Sequence, residues 1–86
     1  MKQKVYIVIK DCSYDYDAEV VVEPFGDLDE AIGRFNSLVE NCRTEAEDDD
    51  WVVDEDTAQN FSAYEEGYAT RNHTYITLQI SEINIK

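Results

Sequence analysis

The chain of 86 residues is poor in basic residues, proline, glycine, histidine and cysteine. Each shortage argues against a class of fold, binding partner or functional site. Seven Lys and Arg against 20 Asp and Glu give a formal net charge of −13, which opposes direct binding to nucleic acid or to anionic membranes. One Pro and three Gly, together with 43% hydrophobic residues, argue against a disordered chain. The length predicts a single domain over residues 1–86.

The sequence also lacks the short motifs of a catalytic site and the ligand spacing of a metal site. His73 is the single histidine, and Cys12 and Cys42 have no metal-ligand spacing. The run 48–50 offers carboxylate oxygens, but the Gly and the final Glu of a calcium-binding loop do not follow it. We therefore predict a protein that is not an enzyme and that has no catalytic residue, no cofactor and no dedicated metal site.

No apolar stretch approaches the roughly 20 residues that cross a bilayer. The N-terminal segment MKQKVYIVIK has a basic start, but its apolar run from Val5 to Ile9 is short and lacks a cleavage site of small residues. The sequence thus predicts a cytoplasmic protein without membrane contact. In that compartment Cys12 and Cys42 are expected to stay reduced, and a disulfide between them is the alternative.

A helix is the clearest element in the sequence. Apolar residues recur at spacings of three and four from Leu28 to Cys42. Asp27 has the position of an N-cap, and Glu30 follows three residues later, as in a capping box. The spacing predicts a helix over 28–44, with an extension to 46 as the alternative, because the acids that follow oppose the negative end of the helix dipole.

Segments of β type surround the helix. Residues 3–10 and 18–25 predict two strands of an antiparallel hairpin with a polar connection over 11–17. Three more strands are predicted at 51–53, 61–70 and 74–86, the last with a bulge or a change of covered face beyond Ser81. The order β-β-α-β-β-β predicts an α+β fold, in which one amphipathic helix packs on a mostly antiparallel sheet of four to five strands. The other sheet face is expected to carry Tyr and Thr and to be only partly covered.

The acids form two groups. The segment 47–56, EDDDWVVDED, has seven acids in ten positions around one Trp and two Val. We expect the apolar trio to anchor the backbone as a short strand and to leave the acids in water. The other group has odd numbers only, so an extended chain would place its members on one face about 6.6 Å apart, near the spacing of phosphates. This group consists of Asp11, Asp15, Asp17, Glu19 and Glu23.

Aromatic residues are mixed with these acids, as in the YDYD stretch over 14–17. Such mixtures suit an interface that receives Arg and Lys side chains through ion pairs and cation–π contacts. The residues predicted to bind a partner are Tyr14, Asp15, Tyr16, Asp17, Glu19, Glu47, Asp48, Asp49, Asp50, Asp54, Glu55 and Asp56.

In its small size, its β-β-α-β order and acid-rich stretches such as TEAEDDDW, the chain resembles small acidic proteins of phages and mobile elements. Some of those proteins are DNA mimics that inhibit restriction or CRISPR nucleases, and immunity proteins that neutralise basic toxins are similar in charge and size. The resemblance implies an anti-CRISPR or anti-restriction type of inhibitor, and it carries no functional residue over to this chain.

Two functions fit these patterns best. The first is a non-enzymatic acidic protein that inhibits a basic nucleic-acid-binding protein or nuclease by occupying its nucleic-acid cleft. The alternative is a small interaction domain that forms a homodimer or docks on a partner through its sheet edge or its tyrosine-rich face, with acids that serve solubility alone. In that alternative the run 74–86 would be an exposed edge. A cation-responsive domain is a third hypothesis.

Overall fold

The computed structural model describes residues 2–15, 17–68 and 72–84, which form one helix packed on a five-stranded antiparallel sheet. The predicted α+β fold and the order β-β-α-β-β-β are confirmed. In the sheet the strand order is β2-β1-β5-β4-β3. The elements are β1 (Lys2–Tyr14), β2 (Asp17–Phe25), α1 (Leu28–Asp48), β3 (Val52–Asp56), β4 (Asn60–Tyr64) and β5 (His73–Asn84).

The β1–β2 hairpin is longer than predicted. The polar connection over 11–17 is wrong, because residues 11–14 continue β1 and Tyr14 pairs directly with Asp17. Two residues therefore make the turn, and Asp15 has the left-handed conformation, with φ of 49°. Two-residue hairpin turns need positive φ, which Asp tolerates better than most residues.

β5 lies inside the sheet. Its first part pairs with both β1 and β4, whereas residues 79–84 pair with β1 alone. The prediction of an exposed edge over 74–86 is therefore wrong for the first part of the run, and the edge strands are β2 and β3. The register against β1 has no shift, so no bulge follows Ser81; instead, the change of parity places Ile83 on the other face. Residues 85 and 86 lie outside the described residues.

The helix begins where the sequence predicts. The Asp27 side chain accepts a hydrogen bond of 2.9 Å from the backbone N–H of Asp29, which makes Asp27 the N-cap. The acidic first turn favours the positive end of the helix dipole. The buried row of the helix consists of Ala31, Phe35, Val39, Cys42 and Ala46.

The helix ends later than predicted, at Asp48. The backbone N–H of Trp51 donates to the Ala46 carbonyl at 2.8 Å, and Asp50 turns the chain with φ of 57°, as in a Schellman motif. Ala46 is buried one turn beyond Cys42. Packing of this extra turn outweighs the unfavourable acids at the helix end, because helix stability in proteins comes mainly from the packed face.

The core lies between α1 and one face of the sheet. Its largest fully buried side chains are Phe35 from the helix and Val8, Phe61 and Ile76 from the sheet. Trp51 packs against this cluster, as expected for the anchor of the acidic segment. We call the sheet face that carries Val8 and Ile76 the helix side, and the opposite face the open face.

The predicted Tyr and Thr residues occupy only the β4–β5 half of the open face, which carries two Tyr and one Thr. The strand register places Ile7 beside Pro24 and Ile9 beside Val22, on the face opposite the buried Val8. The β1–β2 half of the open face therefore carries aliphatic side chains, not Tyr and Thr. β1 is apolar on both faces, although the helix covers only one of them.

Candidate interaction surface

The β1–β2 hairpin places the odd-numbered acids of residues 11–23 on different faces of the sheet. Because the turn has two residues, each odd-numbered residue of β1 pairs with an even-numbered residue of β2. Cys12, which shares the helix side with Val8, lies beside Glu19, and Asp17 shares that side. Asp11 instead lies on the open face. The expectation that all odd-numbered acids share one face is wrong, because parity holds only within a single strand.

One end of the molecule brings the hairpin turn together with the segment between β4 and β5. Asn72, which is 5% exposed, links the two. Its Oδ1 accepts a hydrogen bond from the backbone N–H of Asp15 at 2.8 Å, and its Nδ2 donates to the Glu65 carboxylate. Its backbone carbonyl also accepts the N–H of Glu65 at 3.0 Å. These bonds fix the turn, because a buried polar group is costly to leave unpaired.

The C-terminus of α1 reaches the same end. Between α1 and β1 lies a cavity of about 230 Å³, lined by Tyr14 from the hairpin and by Glu45, Asp49 and Trp51 from the helix end. Tyr14 also lies beside Asp17 in a shallow groove. We define the acidic end by the described residues 14, 15, 17–19, 45–50 and 65–68.

The predicted acids of this end are exposed. Glu47 and Asp48 occupy the last turn of α1, Asp49 is its C-cap, and Asp50 follows in the left-handed conformation. None of these four forms an ion pair with another described residue. Adjacent charges of one sign on a hydrogen-bonded backbone produce a strong negative field. The predicted acids that share the acidic end are Asp15, Asp17, Glu19, Glu47, Asp48, Asp49 and Asp50.

The remaining predicted acids, Asp54, Glu55 and Asp56, lie along the edge strand β3, where a bulge precedes Glu55. Arg43 Nη2 donates to both carboxylate oxygens of Asp56 at 2.9 Å, and Arg43 Nη1 pairs with Glu40 at 2.8 Å. The hydrogen bond to Asp56 raises the pKa of Arg43. Asp56 thus joins β3 to α1, and its charge is compensated within the chain.

Exposed tyrosines accompany the acids. Tyr14 is 60% exposed, and Tyr16 lies outside the described residues. Tyr68, which the predicted set lacks, is 52% exposed and lines a depression together with Tyr14 and Asp15. The sequence signal for Tyr68 is the mixture of Tyr and Glu over 64–68, which resembles the YDYD stretch. Both tyrosine rings are thus exposed at the acidic end.

Glu23 has a structural role. It accepts hydrogen bonds from Arg34 Nε and Nη2, both at 2.9 Å, and so joins β2 to α1. These hydrogen bonds lower the pKa of Glu23 below its ordinary value of 4.5, and the same contact raises the pKa of Arg34. Glu23 is therefore ionised and its charge is compensated by Arg34, whereas the predicted acids of the acidic end are exposed.

The cavity at the acidic end also holds the two cysteines, both as free thiols. Burial raises the pKa of the Cys42 thiol, and the nearby Lys10 opposes this shift. The Cys42 thiol is therefore protonated at neutral pH and is not an activated nucleophile.

In the described ranges, no group of three or more His, Cys, Asp or Glu side chains is placed to hold a metal ion. No helix among these residues is long and apolar enough to cross a membrane. His73, which begins β5, has its ring 4.9 Å from that of Tyr75, centroid to centroid. No protein-family model, curated protein or solved structure matches the chain.

Proposed function

We propose that the acidic end binds the nucleic-acid cleft of a basic protein, such as a nuclease, and inhibits it by occupation, without chemistry. The observation that carries this proposal is the extension of α1 into the acidic run, which fixes Glu47–Asp50 in exposed positions beside the acids of the hairpin. A charge array on a fixed backbone loses little conformational entropy on binding. Its field would steer a basic partner to this end of the molecule.

The spacing of the hairpin acids supports the same proposal. Asp17 and Glu19 are neighbours on one side of β2, so their Cα atoms are about 6.6 Å apart, twice the rise of a strand. Phosphates along one strand of nucleic acid are separated on a similar scale. Lys and Arg side chains arranged to bind successive phosphates would meet carboxylates here. Tyr14 would add an exposed ring for contact with an Arg side chain.

Two charge-matched double variants test this function. Asp48→Lys with Asp49→Lys reverses two charges at the acidic end, whereas Glu30→Lys with Glu82→Lys reverses two exposed acids at the opposite end. Each double variant raises the formal net charge by four, from −13 to −9. Used as bait in a cell lysate, the native chain should retain a basic nucleic-acid-binding protein that added DNA displaces.

The variant at the acidic end should retain at least about ten-fold less of that partner, because attraction turns into repulsion at the contact, and the control should retain it nearly unchanged. Circular dichroism should show that both variants fold, since Lys in the last helical turn favours the helix dipole, whereas Lys at position 30, in the first turn, opposes it by only about 1 kcal/mol at most. Equal retention by the two variants, or a partner that DNA does not displace, would contradict the proposal.

A further inference from the structure

The open face of the sheet is almost free of charge. Among the described residues of β1, β2, β4 and β5, the register places one acid on this face, Asp11, and β3 adds Glu55 at the rim. This is a small share of the 20 acids in the chain. The aliphatic side chains of the face are instead continuous across two strands, and they come from Val5, Ile7, Ile9, Val20, Val22 and Pro24.

These side chains are not covered by the chain itself. Val20 is 62% and Val22 57% exposed, and Ile7 and Ile9 are only half-buried. An antiparallel sheet with one solvated face usually alternates apolar and polar residues, but β1 is apolar on both faces. Contiguous exposed apolar surface of this kind marks an interaction site.

We propose that the open face packs against the open face of a second copy of this chain, in a symmetric dimer. A basic partner would be drawn to the acidic end, since the open face has almost no charge to attract it. Two copies that meet by their open faces keep their acids apart, because most of the charge lies on the helix side and at the acidic end. The same apolar patch serves both copies, as a two-fold interface requires.

The face is large enough for a weak specific dimer. The molecule measures 49 × 22 × 15 Å, so the faces of the sheet and helix layers are its broadest surfaces. Four strands about 4.8 Å apart and about nine residues of rise near 3.3 Å give roughly 570 Å² per copy. Two copies would bury roughly 1,100 Å², near the lower limit of specific interfaces, so we expect a dissociation constant on the order of 10 µM.

The matched pair Val22→Asp and Val53→Asp tests this dimer. Both residues are exposed valines on edge strands, and both substitutions add one negative charge, but Val53 pairs with Ala63 on the helix side. In sedimentation equilibrium the native dimer should become tighter as salt screens the repulsion between two anions. Val22→Asp should weaken association at least about 100-fold, because it buries an unpaired charge in each half of the interface. Val53→Asp should change it less than about two-fold.

A native chain that stays monomeric at roughly 1 mM would overturn the proposal, because even a weak specific interface should be populated there. A dimer that survives Val22→Asp would also overturn it.

NMR spectra of the native chain at increasing dilution give an independent test that does not depend on a folded variant. The amide signals of Ile9, Val20 and Val22 should shift, and shifts confined to the acidic end would contradict the proposal. Since Val22→Asp leaves the acidic end intact, failure of the dimer is distinguishable from failure of the proposed function.

Discussion

The acidic end and the open face differ in charge although one strand contributes to both. β2 presents Asp17 and Glu19 on the helix side and Val20 and Val22 on the open face, because successive side chains of a strand point to opposite faces. Acids scattered evenly over the surface would lie on both faces of this strand. Most of the acids that give the net charge of −13 instead lie on the helix side and at the acidic end, which leaves the open face nearly uncharged.

The two surfaces should therefore respond to salt in opposite directions. Binding of a basic partner at the acidic end gains from attraction, so added salt should weaken it. Association of two copies through the open face is opposed by repulsion between their net charges, so added salt should strengthen it. The direction of the salt effect therefore distinguishes binding at the acidic end from association through the open face.

The largest effect is expected from Asn72→Ala, which should disrupt the acidic end and leave the open face intact. The buried amide of Asn72 holds the Asp15 N–H and the Glu65 carboxylate. Its loss should lower the free energy of unfolding by about 2 kcal/mol, since buried polar groups are left unpaired. Hydrogen exchange should rise at residues 14, 15, 17 and 65–68, while self-association stays as in the native chain.

Asn41→Ala is the control, because Asn41 is exposed on the outer side of the helix. A uniform rise in exchange over the whole sheet, or an unchanged rate at the hairpin turn, would show that Asn72 does not act locally.

A smaller effect, of opposite sign, is expected from Asp50→Gly. Asp50 has φ of 57°, a conformation that Gly adopts without strain. The substitution should raise the free energy of unfolding by about 1 kcal/mol, measured by urea denaturation. Asp50→Asn removes the same charge and keeps the β-carbon, so the difference between the variants separates backbone strain from repulsion. A loss of stability in the glycine variant would show that the Schellman motif is not strained at this position.

The smallest effect is expected from Glu23→Gln, which removes an exposed ion pair. Because the folded pKa of Glu23 is lowered below 4.5, the ion pair contributes stability above that pH and loses it as the pH falls through the lowered value. The melting temperatures of variant and native chain should therefore differ slightly at neutral pH and converge in acid. Glu19→Gln, which removes a carboxylate on the same side of β2 and leaves the Glu23–Arg34 contact in place, is the control for the loss of one charge. A difference that grows in acid would contradict the assigned sign.

Local patterns in the sequence predict the parts of the fold that depend on neighbouring residues. The helix start at Asp27, the buried row from Ala31 to Cys42 and the hairpin of the first two strands all follow from spacing and capping chemistry. The helix end does not, because it depends on the burial of Ala46 against the sheet. The spacing of Ala46, four residues after Cys42, is the signal that could have predicted the longer helix.

The distribution of the acids depends on contacts that are distant in sequence. A turn of two residues, and not a connection of seven, decides which side of the sheet Asp17 and Glu19 occupy. Arg43 pairs with Asp56 across the gap between helix and edge strand, and this partner cannot be inferred from spacing. The low charge of the open face cannot be predicted from the sequence for the same reason, since it depends on the register of the strands.

The most direct test uses the native chain, the Asp48→Lys and Asp49→Lys double variant, and Val22→Asp as parallel baits in one lysate. Bound protein is measured at low and high salt and after addition of DNA. We predict that the native chain and Val22→Asp retain the same basic, DNA-displaceable protein, and that the double variant loses it. Retention by the double variant, or loss with Val22→Asp alone, would show that the acidic end is not the surface that recognises the partner.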